Sequence, residues 1–266
     1  MTNPEPTYRA ISPEAFLAIA AGERRFEGLL LSADLVLDQL DLTECRFERC
    51  LFRIPTIRSA DFSDAEFNDC KVEPTRFANC KMRKTRFVGC SFFDAGSKNG
   101  CIFAFCDLQG TEIVRSNLSS SVFEGCDLYG VSAKDGSFRG ARFPRSTFTK
   151  TISKRSMLTK ASFDTCNFSF ADLSGLHLQS CEFLSCKMSE VSLIDADLSH
   201  ATMLRCALDR VEWERAKLHK ADLRGSNLSG LNLAVLADYA GLRISESEQA
   251  EILRHLGIDV DTSTGD

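Results

Sequence analysis

The sequence predicts an all-β fold: a four-sided β-solenoid of about ten coils, closed by a short helix at each end. Three observations predict it. Large apolar residues recur at every fifth position over residues 37–233, and of 40 such positions only Ser97, Ala133 and Ser153 lack one. All twelve cysteines stand two residues before one of these positions, where Ala, Ser, Thr or Val stand elsewhere. The stretch CNFSFADLSG, Cys166 to Gly175, reads as two lines of five in the same order: small, polar, large apolar.

A period of five suits neither a helix nor a strand, which repeat at 3.6 and 2. It suits a chain that turns a corner every five residues, so that four fives close a square coil and the next coil stacks about 4.8 Å above it. The large residue, called the centre below, and the small residue two before it then point inward, while the other three face water. One run of centres passes from Leu37 to Ser97. A second, displaced by one extra residue within DAGSKNG, passes from Phe103 to Leu233. Stacking at twenty residues predicts an inner column Phe103, Phe123, Phe143, Phe163, Phe183, Met203, Leu223. It also predicts an outer column of alternating charge, Asp94, Arg115, Asp135, Arg155, Gly175, Asp195, Arg215. The rod is about 48 Å long.

The open ends of a solenoid need covers. Residues 1–30 are read as an N-terminal segment with a capping helix that starts at Ser12-Pro13-Glu14 and stops at Gly22. Residues 31–234 form the solenoid. Residues 235–266 hold a second helix, with Ser245 and Glu248 as a capping box, an apolar stripe of Ala250, Leu253 and Leu256, and Gly257 at its end.

The cysteines are packing residues, because a buried thiol behaves as a small hydrophobe. There is no C-x-x-C pair, and His177, His200, His219 and His255 show no ligand spacing, so no metal and no cofactor are expected. Nucleotide-binding and hydrolase motifs are missing too, and the acids, serines and histidines fall where the repeat dictates. The protein is therefore read as not an enzyme. The N-terminus shows no basic region followed by an apolar run, and no apolar stretch approaches the roughly 18 residues that span a bilayer. It is expected in the cytoplasm.

Charge is unevenly spread over a chain of net −5: residues 131–163 carry +7, and every other section is acidic. This basic belt comprises Lys134, Arg139, Arg142, Arg145, Lys150, Lys154, Arg155 and Lys160, set on all four sides of the coil, with no aromatic platform beside it. That arrangement speaks against direct nucleic-acid binding. Acids gather toward the ends: Asp41 stacks with Asp61, Glu44 with Asp64 and Asp107 with Asp127, while Glu212 and Glu214 lie near the C-terminal cap. Phe170, Leu184 and Leu204 are outward apolar residues.

The runs ADFSDAEFNDC, ADLSG, ADLSH and ADLRGSNLSGLNL resemble those of pentapeptide-repeat proteins, and the resemblance covers about residues 37–233. It implies a right-handed quadrilateral β-helix. The closing SEQAEILRHLGIDV resembles the ending of the gyrase-interacting Qnr, MfpA and AlbG types. There it implies a head-to-head homodimer through Ala250, Ile252, Leu253, Leu256 and Ile258; the alternative is a helix that only covers its own last coil. It also implies a rod that imitates duplex DNA, occupies the DNA site of DNA gyrase or topoisomerase IV, and modulates the enzyme or confers antibiotic resistance, with the acids above replacing phosphates. Qnr rods carry long loops that bear on protection from inhibitors. The sequence reads here as having only the DAGSKNG bulge, which makes the loop-free MfpA type the closer comparison. The rival reading is a scaffold or adaptor that presents its apolar and basic bands to another protein, as in a secretion or signalling assembly.

Overall fold

Each five-residue line of the sequence becomes one side of a square coil. The computed structural model describes residues 7–153, 156–258 and 260. One side, face 1, forms a nine-stranded parallel sheet in which successive coils pair in register, as in Phe47 with Phe67 and Phe183 with Met203. Faces 2, 3 and 4 follow in chain order around each coil. Most corners are turned by the residue two after the centre, which takes a left-handed conformation, for example Arg49 at φ 48° and Asp64 at φ 58°. A non-glycine residue there costs roughly 1 kcal/mol. The corner N–H offsets this by bonding to the coil above, as Arg49 does to the Asn68 carbonyl at 2.9 Å.

The centres fill the rod. On face 1, Phe26, Phe47, Phe67 and Phe87 stack with ring centroids 4.7–5.0 Å apart. All twelve cysteines are buried and unpaired, in the small inner slot predicted for them. Their thiols donate to carbonyls, as Cys70 Sγ does to Phe47 O at 3.3 Å.

The solenoid starts earlier than the periodicity showed. Arg25–Glu27 is already its first rung, and Arg9–Ala10 adds a strand beside Leu29–Leu31. The N-terminal helix, Pro13–Ala21, is capped by Ser12, whose hydroxyl accepts from Ala15 N. It buries Phe16, whose ring stacks on Phe26 at 4.6 Å and so carries the ring column into the cap.

Two interruptions correct the uniform twenty-residue coil. Lys71 pairs with Ser91, but Ser91 pairs with Asn117, twenty-six residues on. The six extra residues leave between faces 2 and 3 as a hairpin, Phe93–Asp94 against Asn99–Gly100. Ser137 pairs with Asn167, thirty residues on. The ten extra residues leave between faces 4 and 1 as a longer hairpin, Thr149–Ser153 against Ser156–Thr159. The DAGSKNG feature is thus a projecting hairpin, not a one-residue bulge, and the rod is not loop-free. Columns that cross the second hairpin change membership. Phe163 stands over Ala133 on face 1, filling the space beside that small centre, while the column of Phe103, Phe123 and Phe143 stays on face 3. Asp135 stacks with Thr165 and Arg115 with Gly89, so the alternating column does not form as predicted; Arg215 and Asp195 do pair, with Nε to Oδ1 at 2.7 Å.

At the C-terminal end the capping box does not form. Glu246–Glu248 is a 3-10 turn and the helix is Gln249–His255. Ser245 Oγ instead accepts from Gly225 N at 2.7 Å, and Glu248 Oε2 from Leu228 N at 3.2 Å. The physical reason is that these last-coil N–H groups have no coil above them. Side chains of the cap replace the missing carbonyls.

Candidate partner-binding surfaces

Face 4 carries the longest acidic column. Backbone pairing runs Asp41, Asp61, Lys81, Asp107, Asp127, Thr147 and, past the second hairpin, His177, Asp197, Lys217, Asp238. Asp197 and Asp238 extend the four acids that the sequence singled out. Each acid precedes a corner and ties one oxygen to it: Oδ1 of Asp41, Asp61 and Asp127 accepts the N–H two residues on, at 3.0 Å. That Asx turn is why the repeat favours Asp or Asn at this place. The signal was present in ADLSG, where Asp172 Oδ1 accepts from Ser174 N at 3.0 Å.

The second oxygens find partners. Arg24 lies 3.5 Å from Asp41, Lys81 3.2 Å from Asp61 and Lys217 3.8 Å from Asp197; Arg83 pairs with Asp107, and Gln109 donates to Asp127. Two hydrogen bonds from Thr43, hydroxyl first and then N–H, hold the Asp41 carboxyl below the usual carboxylate range. These exposed pairs contribute little to stability. They can be exchanged for the cations of a partner.

The other predicted acids lie apart from this stripe. Glu44 and Asp64 sit at the corner leading to face 1, beside Arg24 and Arg46 in a groove near the N-terminal cap. Glu212 and Glu214 are on face 3, either side of buried Trp213.

The basic belt is largely engaged at its base. Lys134 lies 3.5 Å from Asp164, Arg145 pairs with Glu124, and the Arg139 guanidinium sits over the Phe170 ring at 4.6 Å. Lys150 belongs to the second hairpin, which also exposes Ile152 and Leu158. Lys154 and Arg155 lie outside the described residues.

Of the outward apolar residues, Leu184 and Leu204 pair across adjacent rungs of face 1 and are half-buried. Phe170 is 47% exposed at the corner between faces 2 and 3. It opens onto a groove of about 530 Å³ whose lining includes Asp172, Glu190, Arg210 and Glu212. The fold thereby brings together Phe170 and Glu212, forty-two residues apart in sequence.

At the C-terminal end, Ile252 is buried in its own chain, Ala250 and Leu253 are half-buried, and Leu256 and Ile258 are exposed. An apolar cavity of about 330 Å³, lined by Leu233, Tyr239, Leu242, Ile244 and Ile252, lies beside them. Among the described residues no helix is long and apolar enough to cross a membrane.

Comparison with known proteins agrees with this geometry. The family model for a pentapeptide repeat region matches residues 156–233, and that for pentapeptide repeats in eight copies matches residues 101–140. No curated protein matches the chain. Among solved structures, full-length QnrB1, a plasmid-mediated fluoroquinolone resistance protein, superposes with a TM-score of 0.70 at 21% identity, over 88% of this chain and 100% of that one. A trypsin-treated form of QnrB1 gives 0.67 at 21% identity, over 89% and 100%. HetL of the cyanobacterium Nostoc sp. strain PCC 7120, a pentapeptide repeat protein involved in heterocyst differentiation regulation, gives 0.43 at 18% identity, over 88% and 94%.

Proposed function

The chain folds as a pentapeptide-repeat β-helix, and on that premise we propose that it is a non-enzymatic binding protein acting as a DNA mimic on a type II topoisomerase, DNA gyrase or topoisomerase IV. The observation that carries the reading is the acidic stripe of face 4. It sets Asp41, Asp61, Asp107, Asp127, Asp197 and Asp238 along one side of the solenoid. A 48 Å length of duplex bears roughly 28 phosphates, so one stripe, not the whole rod, stands in for the charged edge of DNA. The likeness of fold to a fluoroquinolone resistance protein supports the same reading. The hairpins remove the objection that the rod lacks projections, and with it the preference for the loop-free comparison.

Modulation or protection then follows from competition: the rod occupies the DNA site and an inhibitor that needs bound DNA loses its target. In a homodimer joined through Leu256 and Ile258, which are exposed at the C-terminal end, two stripes extend the mimic. Light scattering tests this part, with a dimer expected for the native chain and a monomer for Leu256→Asp.

The function is tested by titrating the protein into a gyrase supercoiling assay, alone and with a fluoroquinolone. Inhibition or drug protection at low micromolar concentration is expected, weakening as salt rises. No effect at high micromolar concentration refutes the proposal. The second hairpin favours the adaptor alternative, because it exposes Ile152 and Leu158 on a projecting arm. Salt-insensitive binding to another protein, lost on replacing both by Ser, would decide for it.

A further inference from the structure

Among the described residues, 26 non-glycine residues have positive φ, and Phe105 and Phe170 alone of them are apolar. Phe105 has a packing reason. Its ring lies so close over Gly125 that a Cβ there would sit 2.7 Å from it. Phe170, at φ 64°, is exposed to a similar degree, but the corner of the next coil is Glu190 and offers its ring no glycine seat. What covers part of its ring is the Arg139 guanidinium of the preceding coil, 4.6 Å from the centroid.

Phe170 also lines the groove of about 530 Å³. Its lining comes from the same coil and the next two. Asp172 and Glu212 stand on one column with Ser192 between them. Glu190 is paired with Arg210 at 2.9 Å, whereas among the described residues neither Asp172 nor Glu212 has a cation within 4 Å. Arg142 stands next to Asp172 on the preceding rung of that column, so the carboxylate left for a partner is that of Glu212, beside an aromatic ring that already holds one guanidinium.

We propose that the groove beside Phe170 is a docking site for a cationic segment of a protein partner, with an arginine side chain placed between Phe170 and Glu212. Arginine fits better than lysine, because its planar guanidinium can stack on the ring and donate to a carboxylate at once. The inference deepens the DNA-mimic reading, since a DNA-binding surface is rich in such side chains. Its test uses no topoisomerase, so the two stand or fall separately.

The probe is fluorescently labelled hexa-arginine, with hexa-lysine for comparison, followed by anisotropy at 50 and 150 mM salt. Saturable binding tighter than that of hexa-lysine is expected. Phe170→Ala and Phe170→Leu should each weaken it about three-fold, the leucine variant separating ring electrostatics from apolar burial. Phe170→Ala combined with Glu212→Gln should weaken it about ten-fold. Asp61→Asn, which keeps the Asx turn but removes a face 4 charge, should change it less than about two-fold. The proposal is overturned if the double variant binds as the native chain does, if Asp61→Asn is equally damaging, or if hexa-arginine shows no saturable binding.

Discussion

Deleting residues 150–159 should leave a folded rod of nearly native stability. The second hairpin adds ten residues, which is two full repeat lengths. Without them the chain reads Phe148, Thr149, Lys160, Ala161, Ser162, Phe163, so the centre at 148 is again followed by a centre five residues on. Every inner side chain of the later coils keeps its place. The energetic change has two opposed parts. Closing a ten-residue loop costs about 2 kcal/mol, which the deletion recovers. The hairpin contributes the Thr149–Thr159 hydroxyl bond at 3.0 Å, the Thr159–Gln179 bond at 3.4 Å and the Lys150 contact with Tyr129 at 5.6 Å. Part-buried contacts of this kind contribute roughly 0.5–1 kcal/mol each, so the sum nearly offsets the loop term. The net change should stay within about 1 kcal/mol.

Urea unfolding followed by far-UV circular dichroism measures it, with light scattering to confirm the assembly state. A second deletion, residues 150–160, is the informative contrast. It shifts the phase by one residue and should aggregate or lose most of its cooperative transition, because a one-residue slip turns inward side chains outward. If the ten-residue deletion itself aggregates, or loses more than about 3 kcal/mol, the pairing of Ser137 with Asn167 is wrong and the coil register must be redrawn.

Gly100→Ala should cost at least about 2 kcal/mol by urea unfolding, since a Cβ there would meet the backbone of Ser119 and Ser121 at 2.5 Å; an unchanged midpoint would disprove that close approach. Replacing Ser245 by Ala, which orphans Gly225 N, should cost about 1 kcal/mol and fray the C-terminal coil first, a loss that amide exchange at Gly225 would register. Burial pushes the Cys45 thiol up to about 11 and the Cys101 thiol up to about 12. Because all twelve thiols are buried, a thiol reagent at pH 8 should label the cysteines no faster than the rod opens, and metal analysis should find no stoichiometric zinc; fast labelling or bound zinc would contradict their packing role. The Thr43 bonds that lower the Asp41 pKa add stability that is complete above the unfolded value, about 4, and is lost as pH falls through the folded value. Thr43→Val, which removes the hydroxyl bond and keeps the N–H bond, should accordingly lower stability at pH 7 and flatten its fall on acidification, and an unaltered acid limb would count against the Thr43 hydroxyl as a stabilising contact.

The period of five made the coil legible because it is imposed on every residue: inner places accept a large apolar side chain or a small one, Thr and Ser included, and corners tolerate most polar ones. The same regularity hid the hairpins. Six extra residues displace a fivefold pattern by one, so DAGSKNG looked like a bulge; ten extra residues displace it by none, so Leu158 passed for a centre although its side chain is exposed. The residual signals were Ser97 and Ser153, two of the three failed centres, each lying in one of the hairpins. Surfaces were less legible, for a related reason. Which outward residues meet depends on the summed insertions between them, so Phe170 and Glu212 could be joined in one groove only once the stacking order was fixed. Asp197, by contrast, was readable in principle, because an Asx corner requires its Asp or Asn at a place the repeat itself marks; Asp238 was not, since it lies past the last centre, Leu233, and pairs with Lys217 twenty-one residues back. A solenoid thus divides its information. Local chemistry, read five residues at a time, sets the core and the corners, while the partner-facing surface is set by arithmetic over the whole chain, and one unseen insertion is enough to change every column beyond it.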